Sequence, residues 1–505
     1  MAVETELKLR IDSGQLPGLK RHKLLKSLAA SRTITRRLQN IYYDTPKHDL
    51  RESGMALRLR HAGGQWLQTL KGGGAVLGGL HRRDEWEVPV ARAALDFSAT
   101  PAVQWDELLR PSLRKKLKPV FVTDFTRSTR MLEFQGALIE LCIDQGEVRT
   151  EQHNAPIFEL ELELKSGEPQ KLFELAQALL ESVPFELESV SKAEQGYRLL
   201  TGYAEHPVRG VAPVLAVTDT LAEALNKLAW SCMQHFQDNL HGAMASDDDE
   251  YLHQMRVALR RLRVVLRMAE RMRADRRLDR LYKDVSELCI ALGRIREWDV
   301  FSAQTLQPMC ARMPGHAGLQ ALLAASERKR AGWYAALRDQ AQARERQHLL
   351  LRFAIWMNGD YWRQSAGDAQ PARDFATGRL RKLAKRFARF GQQLESADAA
   401  RLHALRIVAK KLRYSAEFFS TLYNQRAAGA FLAALSKVQD VLGQINDIAV
   451  AHHLLDDLAA DAAMAGHQEA VVLARGWIAH ELSGLVAALR KCMRAFKQKP
   501  EFWEK

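Results

Sequence analysis

The sequence predicts an α+β multidomain protein in which an antiparallel β-rich domain precedes an all-α domain. Residues 1–203 alternate apolar and polar side chains over short runs that end at turns, which is the pattern of strands. From about residue 218 to 497 the period becomes helical, and Ala, Leu and Arg become frequent. Two sequence blocks in the helical part recur at one spacing, which indicates an internal duplication.

Eight candidate strands account for most of the N-terminal part. Turn-forming sequences such as His61-Ala62-Gly63-Gly64 separate neighbouring strands. The strands are predicted at 2–11, 37–44, 55–62, 65–71, 82–90, 120–133, 137–144 and 157–165. Short helices are predicted near 105–116 and 168–182. Residues 204–217 contain two prolines and a glycine and are predicted to be a linker to the helical part.

The helical part, 218–497, contains the duplication. Both matched blocks are separated by 150 positions. They pair Leu252–Arg256 with Leu402–Arg406, and Leu292–Glu297 with Leu442–Asp447. Two matches at one offset predict two pseudo-symmetric helical bundles, about 218–370 and 371–497. Breaks between helices are predicted at Pro308, at Pro314-Gly315 and from Gly367 to Pro371.

The net charge of +14 is unevenly distributed. Residues 1–205 hold 29 basic and 28 acidic residues, whereas residues 206–505 hold 45 basic and 32 acidic residues. The helical part is therefore expected to meet a polyanion. Five well-separated cysteines argue against a disulfide framework or a zinc knuckle. Because we find no long apolar run and no apolar N-terminal signal segment, we expect a soluble protein of the cytoplasm.

Charged side chains share one face on several predicted strands. Alternate residues of a strand point the same way, so Glu4, Glu6 and Lys8 lie together on the first strand. Similar faces are Arg58 with Arg60; Arg83, Glu85 and Glu87; Glu140, Cys142 and Asp144; and Glu159, Glu161, Glu163 and Lys165. A solvated surface would explain one such strand, whereas a closed barrel would turn all of them inward. Carboxylates in such an interior would suit Mg²⁺ or Mn²⁺, and Lys and Arg would neutralise phosphate oxygens.

At this point the residues resemble a known family. Glu4-x-Glu6-x-Lys8 is similar to the ExExK signature of the CYTH superfamily, the triphosphate tunnel metalloenzymes. The resemblance continues over residues 1–203 through Asn40–Thr45, Ala56–Arg60, Lys71, Arg83-x-Glu85-x-Glu87, Ile139–Gly146, Phe158–Leu164 and Ser191-Lys192. It implies an antiparallel eight-stranded β tunnel that binds a triphosphate together with a divalent metal and hydrolyses it.

The resemblance also implies roles for individual residues. The metal is expected at Glu4, Glu6, Glu159 and Glu161, with Glu163 as a weaker candidate. The phosphates are expected to contact Lys8, Arg58, Arg60, Lys71, Arg83, Arg127, Arg130 and Lys192. Asp144, Glu85, Glu87 and Glu140 would complete the catalytic lumen, although Glu85 and Glu87 could equally be structural partners of the arginines.

The helical part carries a basic face in both repeats. His253, Arg256, Arg260 and Arg263 recur at spacings that put them on one side of a helix, opposite an apolar stripe. A solvated basic face is the alternative. The pattern resembles the CHAD domain, which implies polyphosphate binding by two helical bundles. The implied residues are His253, Arg256, Arg260, Arg261, Arg263, His403, Arg406, Lys410, Lys411 and Arg413.

The combined prediction is a metal-dependent inorganic triphosphatase, with Mg²⁺ or Mn²⁺ as cofactor, joined to a module that binds inorganic polyphosphate. The expected partners are tripolyphosphate and long-chain polyphosphate, with polyphosphate granules as one location and no membrane. Thiamine triphosphatase, nucleoside triphosphatase and adenylate cyclase activity are alternatives within the superfamily. A non-enzymatic granule protein is another alternative. Nucleic-acid binding is disfavoured because recognition motifs and interleaved aromatic residues are lacking.

Overall fold

The computed structural model describes residues 2–98, 109–365, 370–392 and 399–504. The chain divides into two compact units. The first unit comprises Met1–Glu205 and Arg344–Gly359, and the second comprises His206–Ala343 and Asp360–Lys505. The predicted helical domain, 218–497, includes residues 344–359, which belong to the first unit in the structure.

The first unit is a closed antiparallel barrel, as predicted. Eight long strands follow one another in the order β5-β4-β3-β2-β6-β7-β8-β1, and β1 pairs with β5 to close the barrel. The strands are β1 Ala2–Arg10, β2 Ile34–Asp44, β3 Ala56–Ala62, β4 Gln65–Leu77, β5 Leu80–Val90, β6 Lys118–Phe134, β7 Ala137–Arg149, β8 Asn154–Ser166 and a two-residue strand β9 Glu186–Leu187 beside β1. Among the strands of the described residues, β9 is the one without a counterpart in the prediction.

The first unit also contains seven described α-helices. They are α1 Leu16–Arg21, α2 Lys23–Ser27, α3 Asp49–Glu52, α4 Pro111–Arg114, α5 Gln170–Leu180, α6 Lys192–Thr201 and, for the part beyond Ala343, α12 Gln340–Met357. The predicted helix 168–182 is confirmed as α5. Residues 99–108, which include part of the predicted helix 105–116, lie outside the described residues.

Apolar outer faces anchor two helices on the barrel. Leu7 and Leu9 point away from the charged side of β1 and are buried where α5 packs on β1 and β8. Helix α6 packs on β6, β7 and β8, and the ring of Tyr197 meets that of Phe121 edge to face at 5.1 Å. A Cβ on Gly196 would lie 2.2 Å from the Phe121 ring, so the close approach of α6 requires glycine there. This packing fixes the start of α6, where Lys192 lies.

The second unit consists of helices that recur in the same order. Helix α7 Leu221–Ala245 packs on α8 Asp249–Met272, which packs on α9 Arg276–Val300. The corresponding series is α14 Ala372–Phe390, α15 Ala399–Phe419 and α16 Gln425–Ala459. The remaining helices are α10 Gln307–Arg312, α11 Ala317–Arg338, α13 Asp360–Ser365 and α17 Gln468–Lys497.

The two halves of the second unit share a hydrophobic core. Trp298, Phe301 and Leu322 of the first half are buried in one cluster with Leu455 and Ile478 of the second half. The duplication predicted from the sequence therefore produces one joined structure. By length and composition alone, α17 could cross a membrane, and several of its apolar side chains belong to this core.

One predicted helix break is wrong. The helical run continues from α9 through a π-helical segment, Phe301–Leu306, into α10, which contains Pro308. Proline lacks the N–H of the regular helical bond, and the irregular π segment just before it accommodates that loss. The break at Pro314-Gly315 is confirmed, since α10 ends at Arg312 and Gly315 has φ of +86°. In the third predicted break, residues 366–369 lie outside the described part.

Candidate active site in the barrel and a basic cluster in the helical unit

Strand register places the charged faces inside the barrel. Directly paired residues of antiparallel strands point to the same side of the sheet. Lys8 lies opposite Glu161 on β8, and Glu4 lies opposite Arg83 on β5. Asp144 on β7 lies between Arg127 on β6 and Glu159 on β8 in the same register. The alternation read from the sequence therefore converges on one lumen.

Three buried carboxylates form the centre of this lumen. Asp144, Glu159 and Glu161 are at most 4 % exposed, and each offers an oxygen within 4.8 Å of the others. Lys192 contacts all three, with its Nζ 2.8 Å from Asp144 Oδ2 and 2.9 Å from Glu161 Oε1. Because β7, β8 and α6 supply these groups, the closed barrel and the packing of α6 together build the cluster.

Two further cations complete the centre. Arg127 donates from Nε and Nη2 to the two oxygens of Asp144, at 2.8 and 2.6 Å, and also to Glu161. Lys8 donates to Glu161 Oε1 at 2.5 Å and lies 3.0 Å from Glu6. Three carboxylates thus share three cations at low exposure, which compensates the cost of burying charge.

These contacts determine the protonation states. Burial alone would raise the pKa of Glu161, but Lys192, Lys8 and Arg127 hold that pKa well below its usual range. Burial also acts to raise the pKa of Glu6, but Lys8 and Lys71 together contribute to lowering that pKa to about 2. Both carboxylates are therefore anionic at neutral pH and can act as oxygen ligands.

A second group of residues lines the lumen beside β1. Lys71 forms an ion pair with Glu4 and lies 3.4 Å from Glu85. Burial and the nearby Glu6 raise the pKa of Glu4. Arg58 is buried and its Nη2 is 3.8 Å from Glu85, so this carboxylate lies between two cations. Glu85 accordingly serves as a partner of basic residues in this structure.

Arg60 and Glu87 form the neighbouring pair of the same wall. Arg60 Nη1 is 3.8 Å from Glu87, which also accepts from Thr69 Oγ1 at 2.9 Å. Arg60 Nε donates to Asn40 Oδ1 at 3.0 Å. Burial and the adjacent Arg58 lower the pKa of Arg60 to about 10, so it remains a cation at neutral pH. These contacts point the guanidinium groups into the lumen.

Glu140 and Glu163, beyond the central carboxylate cluster, have fewer cations beside them than the central carboxylates. Glu163 and Glu140 share Lys165, at 2.6 and 3.0 Å. Burial, with help from Glu4 and Glu140, raises the pKa of Glu163 to about 7 although Lys165 opposes this. Glu163 therefore lies in the lumen without belonging to the central carboxylate cluster.

Not every predicted residue joins the site. Arg130 lies opposite Leu141 in register, on the outer face, and donates to Thr33 Oγ1 at 2.8 Å. Arg130 lies three positions after Arg127 on β6, and an odd separation along a strand puts two side chains on opposite faces, so Arg127 is inside and Arg130 is outside. Arg83 is half-buried opposite Glu4, and no ion pair to it occurs among the described residues.

Sequence reasoning missed several polar residues that hold the site together. Gln195 of α6 donates to Glu159 Oε1 at 2.6 Å. Asn40 also donates to Thr123 Oγ1 at 2.9 Å, and Tyr42 lies opposite Arg58 in the lumen register. Asn40 and Tyr42 occupy alternate positions on β2, as Arg58 and Arg60 do on β3. This two-residue period could have identified both as residues that face the lumen. No comparable pattern marks Gln195, because its position depends on how α6 packs.

The donor set fits a hard divalent cation. All three central ligands are carboxylates, and Mg²⁺ and Mn²⁺ prefer oxygen donors. Cys142, the nearby sulfur, stays a thiol because burial raises its pKa to about 12. Asp144, Glu159 and Glu161 are therefore the residues that would hold a metal, with Glu4 and Glu6 on the adjoining strand.

The helical unit brings the basic residues of both repeats together. Arg256 and Arg260 of α8 interact electrostatically with Arg406 and Lys410 of α15. We call these four residues the central basic cluster. Burial and the adjacent arginines lower the pKa of Lys410 to about 6. The guanidinium of Arg256 lies over Gly293 of α9, with Nη1 2.6 Å from the place that a Cβ would occupy.

Two carboxylates lie beside the central basic cluster. Glu297 interacts with Arg256, and Asp447 interacts with Arg406. They come from the paired blocks that define the duplication, which places one acid in each half. Burial raises the pKa of both groups. Lys410 is largely neutral at pH 7, but the three arginines still outnumber the two carboxylates, so an excess of positive charge is held at this place.

The other predicted phosphate-binding residues differ in their environments. Arg261 is buried, and its Nη1 lies 3.4 Å from Glu417. Arg413 bonds to the same glutamate at 2.7 Å. Arg263 donates to the hydroxyl of Tyr282 at 3.3 Å. His253 is half-buried, and burial and Arg296 lower its pKa to about 4. His403 and Lys411 are exposed.

Comparison with known proteins adds to this picture. Residues 2–197 match the CYTH domain, and residues 227–456 match the CHAD domain. The chain is 37% identical over 203 residues to an inorganic triphosphatase of Haemophilus influenzae. This match covers 39% of the chain and 55% of the relative, so the chain spans about half of that protein's length.

Two further comparisons extend into the helical unit. An uncharacterized protein of Mycobacterium tuberculosis is 26% identical over 416 residues, which is 76% of each chain. The crystal structure of the CHAD domain from the plant Ricinus communis is 31% identical in sequence. It matches with a TM-score of 0.51 over 58% of this chain and 98% of that domain.

A closed barrel with a charged lumen, followed by a duplicated helical unit with a basic cluster, defines a two-domain class of protein. The chain belongs to the CHAD domain family, and its N-terminal part is a CYTH domain. The family resemblance inferred from the motifs is thereby confirmed.

Proposed function

We propose that this protein is a metal-dependent triphosphatase that hydrolyses inorganic tripolyphosphate to pyrophosphate and phosphate. The observation that carries the proposal is the central cluster of Asp144, Glu159 and Glu161, in contact with Lys8, Arg127 and Lys192. Oxygen ligands and phosphate-binding cations occur side by side there, as a metal-bound triphosphate requires. The Haemophilus influenzae relative supports the choice of substrate.

In this proposal the acidic residues would hold the metal, and the basic residues would bind the phosphate groups. A bound Mg²⁺ or Mn²⁺ would polarise phosphate oxygens and orient an attacking water. Arg58, Arg60 and Lys71, on adjoining strands, would bind the phosphate chain and stabilise negative charge on the leaving pyrophosphate. The closed barrel wall would limit solvent around these ion pairs and thereby strengthen them.

We further propose that the helical unit binds inorganic polyphosphate. The central basic cluster supports this, because three arginines and Lys410 are held close together beside two carboxylates, Glu297 and Asp447. A polyanion with closely spaced charges would relieve the repulsion between them. The proposed location is the cytoplasm, including polyphosphate granules, where both substrates would be available.

The deciding experiment measures phosphate release from tripolyphosphate, thiamine triphosphate and ATP. Each substrate is tested with Mg²⁺, with Mn²⁺ and with a chelator. Metal-dependent release that is fastest from tripolyphosphate is the expected result. Faster release from thiamine triphosphate or ATP would instead assign one of the other triphosphatase activities. No release from any substrate would favour a polyphosphate-binding protein without catalytic activity.

A variant separates the two proposed activities. Replacing Glu4 and Glu6 together, Glu4→Gln with Glu6→Gln, should abolish hydrolysis and leave polyphosphate binding unchanged. The lumen loses two oxygen ligands next to Lys8 and Lys71, whereas the helical unit is not altered. Unchanged turnover in this variant would remove the first strand from the metal site.

A further inference from the structure

One buried histidine of the barrel lies beside the charged residues of the lumen. His81 is the second residue of β5 and lies opposite Glu6 of β1 in the antiparallel register. Directly paired residues share a face of the sheet, so the His81 side chain is on the lumen side, next to a proposed metal ligand. Only 1 % of the residue is exposed, and it forms no ion pair among the described residues. The ring therefore belongs to the wall of the proposed active site.

One hydrogen bond fixes the orientation of the His81 ring. Its Nε2 lies 3.2 Å from the backbone oxygen of Glu188. Because a carbonyl oxygen can only accept a hydrogen bond, Nε2 carries the proton and donates it. Burial and the neighbouring Lys8 lower the pKa of His81 to about 3, so the ring is neutral at neutral pH and Nδ1 is an acceptor. Nδ1 is buried and has no hydrogen-bond partner among the described residues.

The unpartnered nitrogen indicates that the histidine is not present for stability. Burying a polar atom without a hydrogen bond destabilises the folded chain. A leucine at position 81 would fill a similar volume without that cost, but it could not donate to the Glu188 oxygen. The bond from Nε2 to Glu188 is therefore the contribution that requires a histidine here.

The accepting carbonyl belongs to a short turn that leads into α6. Residues 188–191 join the end of β9 to Lys192, which is the first residue of that helix. The Glu188 N–H donates to the backbone oxygen of Lys8 at 2.9 Å, and the Glu188 oxygen accepts from His81. The peptide groups on either side of Glu188 are therefore attached to β1 and to β5, the two strands that close the barrel.

Bonds within the turn connect this attachment to the helix. The Val190 N–H donates to Glu188 Oε1 at 2.7 Å. Ser191 caps α6, since its Oγ accepts from the Glu194 N–H at 3.2 Å. Lys192 follows directly, and its ammonium contacts all three members of the central carboxylate cluster. A displacement of the Glu188 carbonyl would therefore shift the start of α6 and the Lys192 side chain with it.

We propose that His81 is a positioning residue for the triphosphatase reaction, and that it holds the Lys192 ammonium in the lumen through the backbone oxygen of Glu188. This inference rests on the proposed function of the barrel. His81 acts on the reaction through Lys192 and does not itself contact the phosphate groups. A misplacement of about 1 Å at a catalytic group can lower a rate by about hundredfold, so one hydrogen bond at the start of α6 has a measurable effect.

The test is a double-mutant cycle in the full-length protein, with tripolyphosphate hydrolysis at saturating Mg²⁺ as the measurement. His81→Leu removes the donor and should lower kcat about tenfold. Lys192→Met should lower kcat more, and His81→Leu should have no further effect in that background because the group to be positioned is absent. Thermal unfolding of each variant measures the change in stability separately. Losses in kcat that multiply in the double variant would overturn the inference.

A conservative variant separates positioning from folding. His81→Gln keeps an N–H donor close to the place of Nε2 and should recover most of the kcat lost in His81→Leu. The control is His61→Leu on β3, which should turn over as wild type does. The His61 ring lies on the outer face of the barrel, at 4.8 Å from the ring centre of Trp66. Equal losses in His81→Gln and His81→Leu would overturn the inference.

Hydrogen exchange gives a second measurement that does not depend on turnover. The Glu188 and Val190 amides, which donate to β1 and within the turn, should exchange faster in His81→Leu. Their exchange should return toward the wild-type rate in His81→Gln. Unchanged exchange in His81→Leu, together with wild-type kcat, would also overturn the positioning role. Absence of hydrolysis in the wild-type protein would instead overturn the proposed function of the barrel.

Discussion

The barrel lumen and the central basic cluster both hold cations at low exposure, but they neutralise them differently. In the lumen, Lys8, Arg127 and Lys192 each contact one or more of Asp144, Glu159 and Glu161. In the helical unit, three arginines and the largely neutral Lys410 lie beside two carboxylates, Glu297 and Asp447. A balanced set of charges can admit a metal together with an anion, whereas an excess of cations favours the anion alone.

The pKa values report the same difference. Lys192 in the lumen has a raised pKa, because the attraction of Asp144, Glu159 and Glu161 outweighs the effect of burial. Lys410 in the helical unit has a lowered pKa, because burial and three arginines act together. A raised lysine pKa thus marks the lumen, where carboxylates balance the cations, and a lowered lysine pKa marks the central basic cluster, where cations are in excess.

The largest expected effect comes from removing the carboxylate shared by most lumen cations. Glu161→Gln should reduce tripolyphosphate hydrolysis at least about hundredfold. The substitution removes the negative charge of a carboxylate that is both a proposed metal ligand and the partner of Lys8, Arg127 and Lys192. Steady-state phosphate release measures it. The matched control is Glu163→Gln, two residues along the same strand face and outside the central cluster. Equal losses in the two variants would contradict the special position of Glu161.

The second effect concerns the excess of cations. Arg256→Glu with Arg406→Glu should weaken polyphosphate binding by about hundredfold and spare hydrolysis. Each substitution replaces a cation that would pair with a phosphate group by an anion that repels it. Titration of polyphosphate at several salt concentrations measures it. The control is Arg328→Glu with Lys329→Glu, exposed on α11, which changes the net charge equally. A similar loss in the control would indicate that net charge alone governs binding.

A third, smaller effect follows from the lowered pKa of Lys410. The free protein holds this side chain largely neutral above about pH 6, and a bound polyanion would favour its charged form. Binding at pH 7 to 8 should therefore take up as much as one proton, and affinity should fall as pH rises through this range. Calorimetry in buffers of different ionisation enthalpy measures the uptake, which Lys410→Gln should remove.

The same shift has a consequence for stability without ligand. The folded pKa of Lys410 lies below its unfolded value, so the unfolded chain binds more protons between the two values. Folding stability should then be lowest below about pH 6 and increase as pH rises toward 10.5. The absence of this increase in wild type relative to Lys410→Gln would contradict the neutral lysine.

The sequence predicted the barrel well because its signals are local. Alternation of charge and apolar residues on β1 and β8 defines both the strand and the direction of each side chain. The same rule identified Glu6, Lys8 and Glu161 before any pairing was known. It failed for Arg130, since the phase of the long strand β6 is not evident from its mixed pattern.

Contacts between distant segments could not be predicted in this way. Gln195 reaches Glu159 only because the packing of α6 on the barrel sets its position. The sequence also marked Lys411 as a phosphate-binding residue by analogy with Arg261. Whether each has an internal partner depends on Glu417 and on helices from the other half of the unit.

The smallest expected effect tests how far the barrel depends on a segment that lies beyond the linker in the chain. Gln347, in the helix Gln340–Met357, is buried, and its Oε1 accepts a bond from the Leu187 backbone N–H of β9 at 3.1 Å. Gln347→Ala leaves that donor without its partner, which should cost about 1 kcal/mol in the free energy of unfolding. Hydrogen exchange at Leu187 should become faster while turnover stays close to wild type. Gln342→Ala, at an exposed position of the same helix, is the control for helix propensity. If the Leu187 amide exchanged equally slowly in both variants, β9 would be held by its pairing with β1 alone, and residues 344–359 would contribute nothing to the stability of the barrel edge.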